Sequence, residues 1–167
     1  MKIIKSLNIF FFISFYANAS TEDLNLMNIY QDLHMSPELS YKEVKTAKKL
    51  ALYLTDLGYE ITEGVGGNGV VATLSNGEGK TILIRADMDG LPVRERTGAT
   101  YASKAKSINQ AGQEVFTMHA CGHDIHMTVL LGTAEYLVNN KDQWKGNLIL
   151  ILQPAEEVSG GARNMIK

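Results

Sequence analysis

The 167-residue sequence holds one cysteine, Cys121, so no disulfide can form within the chain. A lone thiol is either a small buried core residue or one that is used chemically, and its neighbours must decide which. Histidine is also scarce, limited to His34, His119, His123 and His126. No cluster of lysine and arginine interleaved with aromatics occurs anywhere, which argues against nucleic acid as a partner, because phosphate backbones are held by such clusters. Internal repeats and linkers are absent as well. What remains is a composition of 45% hydrophobic and 20% charged residues with a net charge of −2, sufficient for one globular domain with a real core.

The N-terminus departs from that composition. Lys2 and Lys5 precede an apolar run over residues 7–16, followed by Ala17-Asn18-Ala19, the order of a secretory signal peptide cleaved after Ala19. The run is shorter than the roughly 20 residues that span a bilayer, so stable membrane association after cleavage is not expected. The expected product is an exported protein, periplasmic or secreted. Its mature chain, residues 20–167, has lost two lysines and carries a charge of about −4.

Periodicity outlines the elements. Ser20 to Asp23 offers a capping signal for a first helix running to about Met35, where Pro37 stops it. Ser40 and Glu43 form a capping-box pattern ahead of a second helix that ends at Gly58. Apolar stretches at 69–74 and 81–86, separated by Asn76-Gly77, predict two strands paired with each other. A long polar loop over 91–113 suggests a functional or inserted segment, with a short strand over 114–118. A helix over 122–138 should present Val129, Leu130, Ala134 and Leu137 on one side. The unbroken run Leu148-Ile149-Leu150-Ile151-Leu152 reads as a strand buried on both faces, so the whole is a layered α/β domain.

Three clusters fall at ends of predicted strands, where an open α/β sheet places its ligand crevice. They are Arg85-Ala86-Asp87-Met88-Asp89-Gly90-Leu91-Pro92, His119-Ala120-Cys121-Gly122-His123-Asp124-Ile125-His126, and Gln153-Pro154-Ala155-Glu156-Glu157. Cys121 and His123 do not share a helix face, but a turn at Gly122 can aim both inward, and thiolate, imidazole and carboxylate suit a divalent metal. His126, one helical turn further, can support that shell. The same segment also reads as a plain helix N-terminus with Asp124 complementing the dipole, or as a cysteine–histidine dyad. Glu156 and Glu157 can divide the work, one binding metal and the other acting as base, or they can be two solvated acids of a helix start. Asp87 and Asp89 alternate on a strand end and can bind metal, orient a histidine or simply form a turn.

Taken in order and spacing, these clusters, together with His-Met-Ser-Pro-Glu-Leu-Ser from His34 and Gly160-Gly161-Ala162, resemble the aminoacylase and carboxypeptidase superfamily of metallohydrolases. The branch is that of hippurate hydrolase and the indole-acetyl amino-acid hydrolases. The resemblance implies an α/β/α zinc-exopeptidase-like catalytic domain. It implies Cys121, His123 and Glu157 as ligands in a site for two divalent ions, zinc, manganese, cobalt or nickel. Glu156 is implied as general base and acid, with Asp89 assisting catalysis in a supporting role.

The implied reaction is hydrolysis of an N-acyl amino acid or a related small peptide-like amide. Gly90, usually alanine in the branch, and a few extra residues around 109–113 depart from the pattern. The resemblance also implies that residues 20–167 are the N-terminal part of the catalytic domain, with two further histidine ligands and a smaller lid domain beyond Lys167, and that the full-length enzyme can form homo-oligomers. The rival expectations are an inactive remnant or binding module, and a thiol hydrolase using Cys121.

Overall fold

The computed structural model describes residues 24–167. The signal-peptide reading of residues 1–19 and the capping signal at Ser20 to Asp23 lie outside the described residues. Helix α1 (Leu26–Met35) takes its cap from Asn25, whose side chain accepts from the Asn28 amide at 3.0 Å. Among the described residues, no helix is long and apolar enough to cross a membrane.

The expected capping box before α2 (Val44–Asp56) does not form. Ser40 donates its hydroxyl to Asp89 at 2.6 Å, and the fully buried Glu43 accepts from the Tyr41 and Ala155 amides at 3.0 and 2.7 Å and from the Asn68 side chain at 3.1 Å. Glu38 supplies the cap instead, accepting from the amide and hydroxyl of Thr46 at 2.8 and 2.9 Å. Donors sealed in the interior must find partners, and that demand overrides the local pairing.

Four strands form the main sheet: β1 (Glu60–Val65), β2 (Gly69–Asn76), β3 (Thr81–Asp87) and β6 (Gly146–Gln153), in the order β1-β2-β6-β3. The predicted pairing of 69–74 with 81–86 is therefore overturned. Strand β6 lies between them, antiparallel to β2 with Val70 opposite Leu152, and parallel to β3 with Ala86 beside Leu152. The Asn76 amide does not close a tight hairpin but donates to the carbonyls of Lys141 and Trp144 at 2.7 and 2.6 Å, tying the end of β2 to the approach of β6. The most apolar segment of the chain takes the central position, where both of its edges are paired. Strand β1, which lacks an apolar run, was not anticipated.

Helix α2 packs on β1 and β2, and α3 (His123–Asn139) on β3, with α1 against α3. Their shared core includes Leu50, Leu54, Leu131 and Leu150, each fully buried and each contributing about 1.5–3 kcal/mol relative to exposure. On α3 the buried stripe is Met127, Leu130, Leu131 and Ala134, whereas Val129, expected on that side, is 60% exposed. Strand β6 alternates too: Leu148, Leu150 and Leu152 are buried, while Ile149 and Ile151 are half-buried. The mixed sheet with its helices is thus the expected α/β layering, and α1 to α3 cover one of its faces.

The long loop contains β4 (Lys106–Ile108), which pairs with β5 (Glu114–Phe116) in a small hairpin. His34 of α1 is buried beside this loop, its Nδ1 bonded to Asp124 at 2.6 Å and its Nε2 to Glu95 at 3.1 Å. Burial opposes charge on His34, but the two carboxylates outweigh it and raise its pKa above the ordinary value. Unfolded histidine titrates near about 6.5, so the stability from this imidazolium is fully present below that pH and is lost as pH rises through the higher folded value. Urea unfolding should show the advantage of wild type over His34→Asn shrinking as pH rises above about 6.5; a constant difference would contradict the assignment.

Candidate metal centre

The three clusters meet at the C-terminal ends of the parallel neighbours β3 and β6, beside the N-terminus of α3. Asp87 closes β3, Gln153 closes β6, and Gly122 is the N-cap of α3 with a left-handed φ of +79°. No neighbouring atom would obstruct a side chain at Gly122, so the glycine serves the backbone turn between Cys121 and His123. Cys121 is exposed, which removes the core-cysteine reading, and His123 is buried.

His123 is the hub. Its Nδ1 donates to the Asp89 carbonyl at 2.7 Å, which leaves Nε2 as the free ring nitrogen. Around Nε2 stand Asp87 Oδ2 at 3.7 Å, Glu156 Oε2 at 3.8 Å and Glu157 Oε1 at 3.9 Å, too far for hydrogen bonds. The Asp89 carboxylate lies on the other side, 3.5 Å from Nδ1. Burial works against charge on His123, but Asp89 and Asp87 outweigh it and raise the imidazole to about 9.

Asp89 is a clamp. Its Oδ1 accepts from the Glu156 amide and its Oδ2 from the Glu157 amide, both at 3.0 Å, in addition to the Ser40 hydroxyl. Burial would raise this carboxyl, but those donors and His123 hold it down at about 2. It fixes the direction of both glutamates without facing the open side of His123. Asp87 accepts from His126 Nδ1 at 2.6 Å and from Arg85 at 3.1 Å, and His126 stacks on His123 with ring centroids 5.5 Å apart. His126 thus meets the cluster through Asp87 and through its stacking on His123.

The turn that carries Glu156 and Glu157 is tightly specified. Ala155 and Ser159 adopt positive φ of 48° and 55°, and the amides of Gly160 and Gly161 return to the Ala155 carbonyl at 3.2 and 3.1 Å. A Cβ on Gly161 would lie 1.5 Å from the Pro154 carbonyl oxygen, so the Gly160-Gly161 pair is a condition for this turn to close. The two acids then differ. The Glu156 side chain is 41% exposed and that of Glu157 15%, with Glu157 Oε1 buried and without a hydrogen-bond partner among the described residues.

These residues fit a divalent metal. An orphaned carboxylate oxygen facing a free imidazole nitrogen is a poor arrangement on its own and a good pair of ligands. Bonds of about 2.1 Å to one ion place ligand atoms about 3–4.2 Å apart, which matches the spacing around Nε2. His123, Glu156 and Glu157 each offer an atom within 4.8 Å of the others, as do Asp87, His123 and His126. Glu157, and after it Glu156 and Asp89, push the Cys121 thiol up, the reverse of the electropositive surroundings that activate a nucleophilic cysteine. Sequence reasoning took Ser40 and Glu43 for helix caps and missed their part in the site. Their partners lie 49 and 112 residues away, beyond any local pattern.

Known proteins resemble this chain over most of its length. The family model described as Peptidase family M20/M25/M40 matches residues 83–167. Thermostable carboxypeptidase 2 of Saccharolobus solfataricus is 47% identical over 146 residues, covering 85% of this chain and 35% of its own length. Hippurate hydrolase of Campylobacter jejuni is 44% identical over 140 residues, covering 83% of this chain and 34% of its own. The crystal structure of Bacillus subtilis YXEP protein, described as a dinuclear metal binding peptidase from the M20 family, superposes with a TM-score of 0.74 at 40% identity, over 84% of this chain and 37% of that one. The chain spans about a third of the length of the curated relatives it matches.

Proposed function

The chain belongs to peptidase family M20/M25/M40, and from that membership we propose that it forms part of a metal-dependent hydrolase cleaving the amide bond of N-acyl amino acids or related amides. The observation that carries the reading is the buried, unpartnered Glu157 Oε1 set 3.9 Å from the free Nε2 of His123. Cys121, His123 and Glu157 would hold divalent metal, two ions in the complete site, and zinc, manganese, cobalt or nickel all suit thiolate, imidazole and carboxylate. The metal supplies Lewis-acid polarisation of the scissile carbonyl and lowers the pKa of water.

The chain's own residues do the rest. Glu156, more exposed and aimed by Asp89, accepts a proton from the attacking water and returns it to the departing amine. Asp89 is a positioning residue, holding both glutamates and His123. The names of the carboxypeptidase and hippurate hydrolase relatives support an amide substrate of this class. Lys2, Lys5, the apolar residues 7–16 and Ala17-Asn18-Ala19 support export with cleavage after Ala19.

Metal content of the purified exported protein tests the site. Bound zinc or manganese is expected in wild type and at least about tenfold weaker binding in Cys121→Ser and Glu157→Ala. Equal metal in all three would overturn the ligand assignment. Mass determination on the same preparation should give a chain beginning at Ser20.

A further inference from the structure

Among the described residues, three residues other than glycine adopt a left-handed backbone, and all three meet at the turn that carries Glu156 and Glu157. Ala155 and Ser159 belong to the turn itself, whereas Tyr41, with φ of 66°, reaches it from the segment before α2. We propose that Tyr41 is a positioning residue, a brace that fixes the turn from Ala155 to Gly161 and, through it, the placement of the two glutamates beside His123. The proposal rests on the hydrolase reading only for what the glutamates do; the brace itself consists of contacts that need no metal.

The brace has two ends. Tyr41 donates its amide to Glu43 Oε1 at 3.0 Å, and Ala155 donates to the same oxygen at 2.7 Å, so one buried carboxylate ties Tyr41 to the start of the turn. The ring reaches the other end. A Cβ on Gly160 would lie 1.7 Å from the Tyr41 hydroxyl oxygen and 2.9 Å from Cζ, so the phenol rests against the bare backbone of Gly160. Between these points the amides of Glu156 and Glu157 go to Asp89, whose Oδ2 also accepts from Ser40, the residue before Tyr41. Residues 40 and 41 thus engage the turn at its start, its middle and its end.

Backbone strain marks this contact as specified. An aromatic residue at φ of 66° crowds its own backbone, a conformation that glycine or asparagine adopts more easily and that persists only where surrounding contacts hold it. Deep burial does not supply that hold, because Tyr41 is 45% exposed. The contacts that do are those with Glu43 and Gly160, and both lead to the glutamate turn. Removing the ring therefore relieves strain at residue 41 while it loosens the turn at Gly160. The two effects oppose each other in the stability of the fold, but nothing offsets the second at the site.

The test compares wild type with Tyr41→Gly, Tyr41→Asn and Tyr41→Phe in the purified exported protein, by amide hydrogen exchange without metal, urea unfolding, and zinc affinity in competition with a chelator. Glycine and asparagine keep the left-handed backbone without the ring, and phenylalanine keeps the ring. The two ringless variants are expected to lose protection at least about tenfold at the Gly160 and Gly161 amides and to bind zinc about tenfold more weakly, with the urea midpoint of wild type. Tyr41→Phe should retain both protection and affinity. Unchanged exchange at those amides, or unchanged zinc affinity in both ringless variants, overturns the proposal. So does a fall in protection spread over the whole sheet with a matching drop in the urea midpoint, which would make Tyr41 a part of the general fold. Exchange read without metal separates the two readings. Lost turn protection in a protein whose wild type binds no zinc keeps the brace and removes the hydrolase reading, whereas zinc binding that no variant alters removes the brace alone.

Discussion

Under the proposed reaction, replacing Glu156 with glutamine is expected to lower turnover of an N-acyl amino acid by about 10²–10⁴-fold, the range for loss of a general base, with metal content retained. The substitution keeps size and backbone bonding, so the Asp89 clamp on the Glu156 amide survives, and only the capacity to take a proton is removed. Glu157 should behave in the opposite way, because its buried oxygen has no hydrogen-bond partner among the described residues and is suited to a metal. The decisive comparison is metal content beside turnover for both variants. If Glu156→Gln sheds metal and Glu157→Gln keeps it, the two roles are reversed.

The second large effect concerns a residue far from any reacting atom. Glu43 is sealed from solvent, and its carboxylate joins three parts of the chain: the Tyr41 amide, the Asn68 side chain and the Ala155 amide one residue before Glu156. Glu43→Ala leaves two backbone donors and an amide without partners, and at about 1–3 kcal/mol for each unsatisfied group the expected loss is about 3–5 kcal/mol. Burial already pushes this carboxyl up toward its neutral form, so Glu43→Gln should cost less than half as much, with Asn68 able to turn its oxygen toward the new amide. Urea denaturation of the three proteins checks this, and equal losses for alanine and glutamine would show that charge rather than acceptor geometry matters there.

Much of the site was legible before the fold was. The spacing Cys121-Gly122-His123 announces a turn, and the paired glutamates follow the most apolar run of the chain; of these, His123, Glu156 and Glu157 bring ligand-type atoms within 4.8 Å of one another. What the sequence hid is long-range. The Asn76-Gly77 signal pointed to a hairpin, yet β6, about seventy residues later, separates the two strands it was taken to join. The capping pattern of Ser40 and Glu43 was real as a pattern, but both side chains have buried partners that local spacing does not reveal. Val129 fitted a helical stripe one position away from the true one, because α3 is apolar on more than one side and periodicity alone leaves its orientation open.

The order of the sheet has a consequence in time. Strand β6 is the last of the six to be synthesised, and β2 and β3 touch through it and not directly. As the chain leaves the ribosome, β1 and β2 can pair early, but β3 must wait for residues 146–153, a long-range closure of the kind that slows folding and leaves strand edges open to other chains. The same closure brings Pro154 to Gly161 against Asp89. Sheet completion and delivery of the two glutamates are therefore one event, and a chain stalled before β6 would display Cys121 and His123 without the acids that stand around them.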